Sequence, residues 1–334
     1  MTQHVTPATV NDPACLLDSL RGWNSPRVLA GLVNHWPVVQ AANAGNAALV
    51  TYLKQFDRQM QVDCMHVPYA EQGRLFYNAE MTGFNFSRQR QQFSHALDML
   101  LEREHQCQAD SLYVGSTSIA SCLPGFLEHN NLPLDEANAL ATLWIGNKSR
   151  IAAHYDVPDN IICVTAGRRR VTLFAPDQVA NLYVGPLHLT PAGQAISMVD
   201  FANPDFTRFP RFRTALDNAL TVELNPGDAL YIPSMWWHHI EGTEPLNMLV
   251  NFWWRDVPAY LGRSENTLYH ALLTLAQLPA NERRAWQAMF NHYVFELKPG
   301  QYDHIAPHAR GPLGELDEAT LRQFKAWLVN HLKQ

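Results

Sequence analysis

The chain has 334 residues, 47% hydrophobic and 17% charged, which is ample material for one large core or two modest ones. A formal net charge of -6 and no long basic run argue against a general phosphate-backbone binder, although a local basic groove is compatible with that balance. The five cysteines, Cys15, Cys64, Cys107, Cys122 and Cys163, are scattered without a C-x-x-C pair. This speaks against a disulfide framework or a zinc site and for reduced thiols in a cytoplasm.

The N-terminal MTQHVTPATVNDPA lacks a basic stretch followed by an apolar one, so no signal peptide is expected. No apolar run is long enough to cross a bilayer, and the reading is a soluble cytoplasmic chain without membrane partners. No internal repeat or low-complexity segment stands out. Residues from about 12 to 110 are mixed. Val28, Leu29, Leu32 and Val33 lead into His35-Trp36-Pro37, where the proline is expected to break any regular element. Helices are expected over Asn46 to Phe56, with Leu49, Tyr52, Leu53 and Phe56 at helical spacing, and over Phe93 to Leu101.

From about 111 to 256 the pattern changes to short strands: LYVG (112–115), TLWIG (142–146), NIICVTAG (160–167), RRVTLF (169–174), TVEL (221–224), ALYIP (229–233) and NMLVNFWW (247–254). Their spacing and their Gly, Pro and Asp punctuation predict a β-sandwich or barrel, with Asn225-Pro226-Gly227-Asp228 as a turn. From about 263 the chain turns helical again. Leu321, Phe324, Leu328 and Leu332 form one stripe behind Asp317 as N-cap, and a similar helix surrounds Trp286 and Phe290. These helices need apolar cover, by default from the barrel, with pairing to a second copy as an addition to that.

Within the strand region, His154 and Asp156 are two apart, so on a strand they share a face and can converge on one metal while Tyr155 points outward. Continuing the phase brings Asn160 and Ile162 to the same side if the strand is not bulged at Pro158. An imidazole and a carboxylate are two of the three ligands of the facial triad that leaves positions open on Fe(II). H-x-D alone is common by chance. A downstream imidazole completes the set, from His238 or His239 on ALYIPSMWWHHI, since early and late strands become neighbours in a barrel. Periodicity leaves that choice open, because the two face opposite ways. Trp236, Trp237 and Trp254 read as core or rim aromatics, and His66, His129 and His270 lack ligand spacing.

The segments SRIAAHYDVPDNIICVTAGRRRVTLFAPDQ (149–178), NPGDALYIPSMWWHHIE (225–241) and VNFWW (250–254) resemble the JmjC-type, cupin-like Fe(II)/2-oxoglutarate oxygenases. So do PRVLAGLVNHWP (26–37) and GRLFYN (73–78). The resemblance covers about residues 20 to 256 and extends to the asparaginyl hydroxylase that inhibits hypoxia-inducible factor. It implies a double-stranded β-helix, that is, a mostly β cupin or jelly-roll barrel with an N-terminal mixed region. The implied layout is a cupin-like domain over 1–256, its barrel core at about 111–256, and a C-terminal helical region over 257–334 that joins two copies.

The resemblance also implies the triad His154, Asp156 and His238, with Asn160, Asn251 and Trp253 near the metal and co-substrate. Tyr113 matches the tyrosine that contacts the far carboxylate of 2-oxoglutarate. The family's lysine for that carboxylate, in a G-x-K-R context, is replaced by Arg169 in Gly167-Arg168-Arg169-Arg170. Alternation supports this independently. Arg169 shares the apolar face of Val171 and Leu173, where a buried charge needs a partner, and an arginine can grip a carboxylate at two points. Ile151 stands where the asparaginyl hydroxylase has a threonine.

The expected activity is an Fe(II)-, O2- and 2-oxoglutarate-dependent hydroxylation of a protein side chain. The alternatives are a modified tRNA base or small molecule, lysine demethylation ranked below these, and a non-catalytic metal-binding cupin. Nucleic acid is a less favoured partner than protein, with tRNA kept open.

Overall fold

The structure, a computed structural model, describes residues 3–10, 12–191 and 193–333. Two compact units follow one another, Met1–Asp256 and Val257–Gln334. The first holds fifteen strands among its described residues. In chain order they are β1 (Gln3–His4), β2 (Thr6–Pro7), β3 (Arg27–Leu29), β4 (Gln61–Val67), β5 (Arg74–Leu75), β6 (Ser87–Gln92), β7 (Ser111–Ser118) and β8 (Leu140–Gly146). Then come β9 (Ser149–Tyr155), β10 (Asp159–Ala166), β11 (Arg169–Phe174), β12 (Leu220–Leu224), β13 (Ala229–Ile232), β14 (Trp237–Gly242) and β15 (Asn247–Trp254).

One sheet has the order β1-β12-β11-β14-β9-β5, the other β2-β3-β13-β10-β15-β8-β7-β4-β6. The heart of both is a rolled antiparallel ribbon. β8 pairs with β15, β9 with β14, β10 with β13 and β11 with β12, each antiparallel. Rolling closes the structure by two further pairs, β10 with β15 and β11 with β14. This is the jelly roll of a cupin, and it makes neighbours of residues far apart in sequence.

The ribbon changes sheet at sharp corners. Asp156-Val157-Pro158 ends β9 before β10 begins in the opposite sheet, so the expected unbroken strand from His154 to Ile162 is two strands. ALYIPSMWWHHI divides likewise into β13 and β14 around Pro233–Trp236. The proline in each corner lacks the N–H a ladder needs. The two corners clasp each other: Met235 N donates to Asp156 O at 2.8 Å, and Ser234 Oγ donates to Val157 O at 2.6 Å.

Burial on both sheet faces explains the near-continuous apolar strands. In β10, Ile161 and Cys163 point to a core built with the N-terminal helices, through Leu49, Leu53, Phe93 and Leu97. Ile162 and Val164 point inward against Val171, Leu173 and Leu249. The outer face of the other sheet, through Phe174 and Trp237, is covered by Leu182, Val199 and Phe212 of the long β11–β12 connection.

The helices Asn46–Lys54 and Phe93–Arg103 lie close to their expected ranges. Pro37 breaks nothing. It opens a helix, Pro37–Ala44, whose first position needs no N–H and suits the fixed φ of proline. In the second unit, Asp317 caps Glu318–Leu332 by accepting from Thr320 N at 2.7 Å. Its stripe is unburied: Leu328 is 41% and Leu332 53% exposed. Among the described residues, no helix is long and apolar enough to cross a membrane.

The turn before β13 fastens the ribbon to the N-terminal segment. Asp228 Oδ2 accepts from Asn225 N and Asp228 Oδ1 from Gly31 N, both at 2.9 Å. Gly227 has φ +99°, and a Cβ there would lie 1.6 Å from Asn34 Oδ1. Gly227→Ala should therefore lose at least the ~1–2 kcal/mol of left-handed backbone cost, plus the overlap, in a urea titration.

Candidate metal centre

His154 and His238 sit directly opposite each other in the β9–β14 pairing. Their ring centroids are 4.3 Å apart. Asp156, just beyond the end of β9, brings Oδ2 to 3.5 Å from His238 Nε2. One ligand atom from each of the three lies within 4.8 Å of the others, close enough to share an ion. Each imidazole is oriented from behind, His154 Nδ1 on Ala152 O and His238 Nδ1 on Trp236 O, both at 3.0 Å. These contacts hold the tautomer in which Nε2 is free to ligate. Burial first, then the neighbouring His154, pushes the pKa of His238 down, which favours the neutral ring a metal requires.

The adjacent histidine has another environment. His239 Nε2 meets Glu241 Oε1 at 3.2 Å, and its ring lies 4.4 Å from that of Phe201. It belongs to the outer face, with Tyr155 packed on Trp237 at 5.0 Å. Geometry thus groups His238, and not His239, with His154 and Asp156.

A bulge tunes this pairing. The register runs from His238↔His154 to Ile240↔Ile151, so Ala152 and Ala153 together oppose His239. The extra residue turns Ile151 as well as His154 toward the interior, which strict alternation forbids. It also frees two carbonyls: Ala152 O accepts from His154, and Ala153 O accepts from Ser197 N at 2.7 Å.

Behind Asp156 stands a line of amides. Asn160 Nδ2 and Trp253 Nε1 donate to Asp156 Oδ2 at 3.3 and 3.2 Å. Asn251 Nδ2 donates to Asn160 Oδ1 at 3.1 Å, and Trp144 Nε1 donates to Asn251 Oδ1 at 2.8 Å. Asn160 and Asn251 are 3% and 1% exposed, so these contacts replace water. Trp144 and Thr142 escape a sequence reading, since they resemble ordinary strand residues of TLWIG. A glycine is the one hint: a Cβ on Gly115 would lie 2.9 Å from the Trp144 ring.

Arg169 is 1% exposed, on the inner face with Val171 and Leu173, while Arg168 and Arg170 pair outside with Glu244 and Glu223. None of its three guanidinium nitrogens has a hydrogen-bond partner. Burial pulls its pKa down, and the nearby Tyr113 hydroxyl works against that without reaching hydrogen-bond geometry. A buried cation in this state is costly until an anion meets it.

The triad, the amide line, Tyr113 and Arg169 all line one cavity of about 360 Å³. Ile151, Ile162, Ile240 and Leu249 form its apolar walls. The cavity therefore offers a two-imidazole, one-carboxylate donor set, apolar walls, and an unpaired cation suited to a carboxylate.

Comparison with known proteins agrees with this architecture. The cupin-like domain family matches residues 13–260. The chain is 34% identical over 126 residues to "Lysine-specific demethylase JMJ31" of Arabidopsis thaliana, covering 36% of this chain and 22% of that protein. It is 34% identical over 152 residues to human "HSPB1-associated protein 1", covering 44% and 30% respectively. It is 32% identical over 145 residues to chicken "tRNA wybutosine-synthesizing protein 5", covering 39% and 42%. Each match spans less than half of the relative concerned. With the family match running through the entire jelly roll, this chain belongs to the cupin-like, JmjC-type domain family.

Proposed function

We propose that the chain is an Fe(II)- and 2-oxoglutarate-dependent oxygenase with His154, Asp156 and His238 as iron ligands. One observation carries this reading. A single cavity presents both a facial donor set and a buried arginine with three unpartnered nitrogens. The donor set suits Fe(II) with open positions, and the arginine suits the far carboxylate of a dicarboxylate. Iron bound there supplies oxidation by O2, coupled to decarboxylation of 2-oxoglutarate to succinate.

The chain's own residues bind and orient. Arg169 takes the far carboxylate at two points, with the Tyr113 hydroxyl beside it. Ile151, where the asparaginyl hydroxylase has a threonine, offers no hydroxyl and makes that wall apolar. Asn160 and Trp253 hold Asp156 toward the two histidines, and Asn251 holds Asn160.

A protein side chain is the first-ranked substrate, from the resemblance to the asparaginyl hydroxylase. A modified tRNA base is the second reading, favoured by the similarity to the wybutosine protein. Lysine demethylation, the activity in the name of another relative, ranks below these. The second unit joins two copies in this proposal. Its three longer helices bury no described residue, and Trp286, Phe295, Trp327 and Leu332 are all exposed.

Succinate should form from 2-oxoglutarate only with Fe(II), and His154→Ala or Asp156→Ala should abolish it, while His239→Ala should retain most of it. An inert wild-type protein, assayed with lysate as a source of substrate, would overturn the assignment. Arg169→Met should raise the KM for 2-oxoglutarate by about two orders of magnitude, as expected on truncating one partner of a buried ion pair. The same change should raise the stability of the ligand-free protein by about 1–4 kcal/mol in chemical denaturation, because it removes an unpaired buried charge. Sedimentation should show a dimer that Leu328→Asp with Leu332→Asp converts to a monomer.

A further inference from the structure

Trp144 stands at the far end of the polar line that terminates on Asp156. An indole N–H can only donate, so the Asn251 atom facing it must be the amide oxygen. Thr142, directly opposite Asn251 on β8, donates its hydroxyl to the same oxygen and accepts from Trp144 Nε1 at 3.0 Å. With its oxygen taken by two donors, Asn251 turns its nitrogen to Asn160 Oδ1. Asn160 must then present its own nitrogen to Asp156. An ionised carboxylate only accepts, so the polarity set by the indole at one end is the polarity required at the other.

The ring of Trp144 is itself held. It packs edge-on against Trp253 at 5.8 Å and close over Gly115, which has no Cβ to obstruct it. Trp253 in turn donates to the same Asp156 oxygen as Asn160. The carboxylate is therefore gripped by one direct indole and by one indole acting through two amides. Thr142, Asn160 and Asn251 are buried, so within the intact line their polar atoms are met by one another.

We infer that Trp144 is a positioning residue for the metal centre: its N–H, relayed through Asn251 and Asn160, fixes the orientation in which Asp156 faces His154 and His238. The inference rests on the reading of those three side chains as metal ligands.

The test is calorimetric titration of the metal-free, full-length protein with Co(II), repeated on variants. Trp144→Phe keeps an aromatic ring beside Gly115 and Trp253 and deletes the donor together with part of the indole. It should weaken Co(II) binding by about tenfold, the usual scale for groups that orient a ligand from behind. Asn160→Ala should weaken binding at least as much. The double variant should bind no more weakly than Asn160→Ala alone, since without that amide the relay no longer reaches Asp156. Thr142→Val should give a smaller loss that also vanishes in the Asn160→Ala background, and it serves if Trp144→Phe does not fold. Wild-type affinity in Trp144→Phe, or losses that multiply in the double variant, would refute the relay. A wild-type protein that takes up no Co(II) would instead remove the metal-centre reading on which it stands.

Discussion

The cavity depends on one cross-strand pair, His154 opposite His238 in β9 and β14. Because side chains alternate along a strand, a slip of one residue would send one imidazole to the outer face and bring His239 inward. The register is held at both ends. On one side the corners at Asp156–Pro158 and Pro233–Trp236 clasp through Met235 and Ser234. On the other, the bulge at Ala152–Ala153 absorbs a residue and is fastened by Ser197. The rolled ribbon thus turns two distant segments into a fixed pair, and Asp156 joins them because it stands at a corner, where the chain can bend toward the cavity.

A second constraint is that much of the interior is apolar. Apolar walls make each polar group inside costly unless it has a partner. The amides of Asn160 and Asn251 satisfy one another and end on Asp156. Arg169 does not conform. It stays buried without a hydrogen bond, a local departure from the order of the surrounding core. Such departures concentrate where a protein gives up stability for a site. In the proposed function the missing partner is the far carboxylate of 2-oxoglutarate, so binding supplies what folding leaves open.

Much of this was legible in the sequence. Strands such as NIICVTAG and NMLVNFWW are apolar nearly throughout because both faces are covered, and Arg169 stood out by sharing a face with Val171 and Leu173. Other features were not legible, for physical reasons. Strict alternation cannot register a bulge, so nothing in the residues alone brings Ile151 inward with His154. The chain changes sheet at Pro158 and Pro233, and Asn160 reaches the cavity from the opposite sheet rather than along one strand. Pro37 reads as a breaker, yet at the first position of a helix it is a starter. Trp144 meets Asn251 only once rolling sets β8 beside β15. The resemblance named His238 and not His239, and the register and the contacts of His239 with Glu241 and Phe201 group His238 with His154 and Asp156.

Anomalous diffraction at the iron edge, from crystals grown without oxygen in the presence of Fe(II) and 2-oxoglutarate, tests the proposed metal centre. The proposed centre should give one peak bounded by His154, Asp156 and His238, and a dicarboxylate whose far end meets Arg169. A peak that includes His239 in place of His238, no iron in the cavity, or a dicarboxylate that leaves Arg169 unpaired would contradict it.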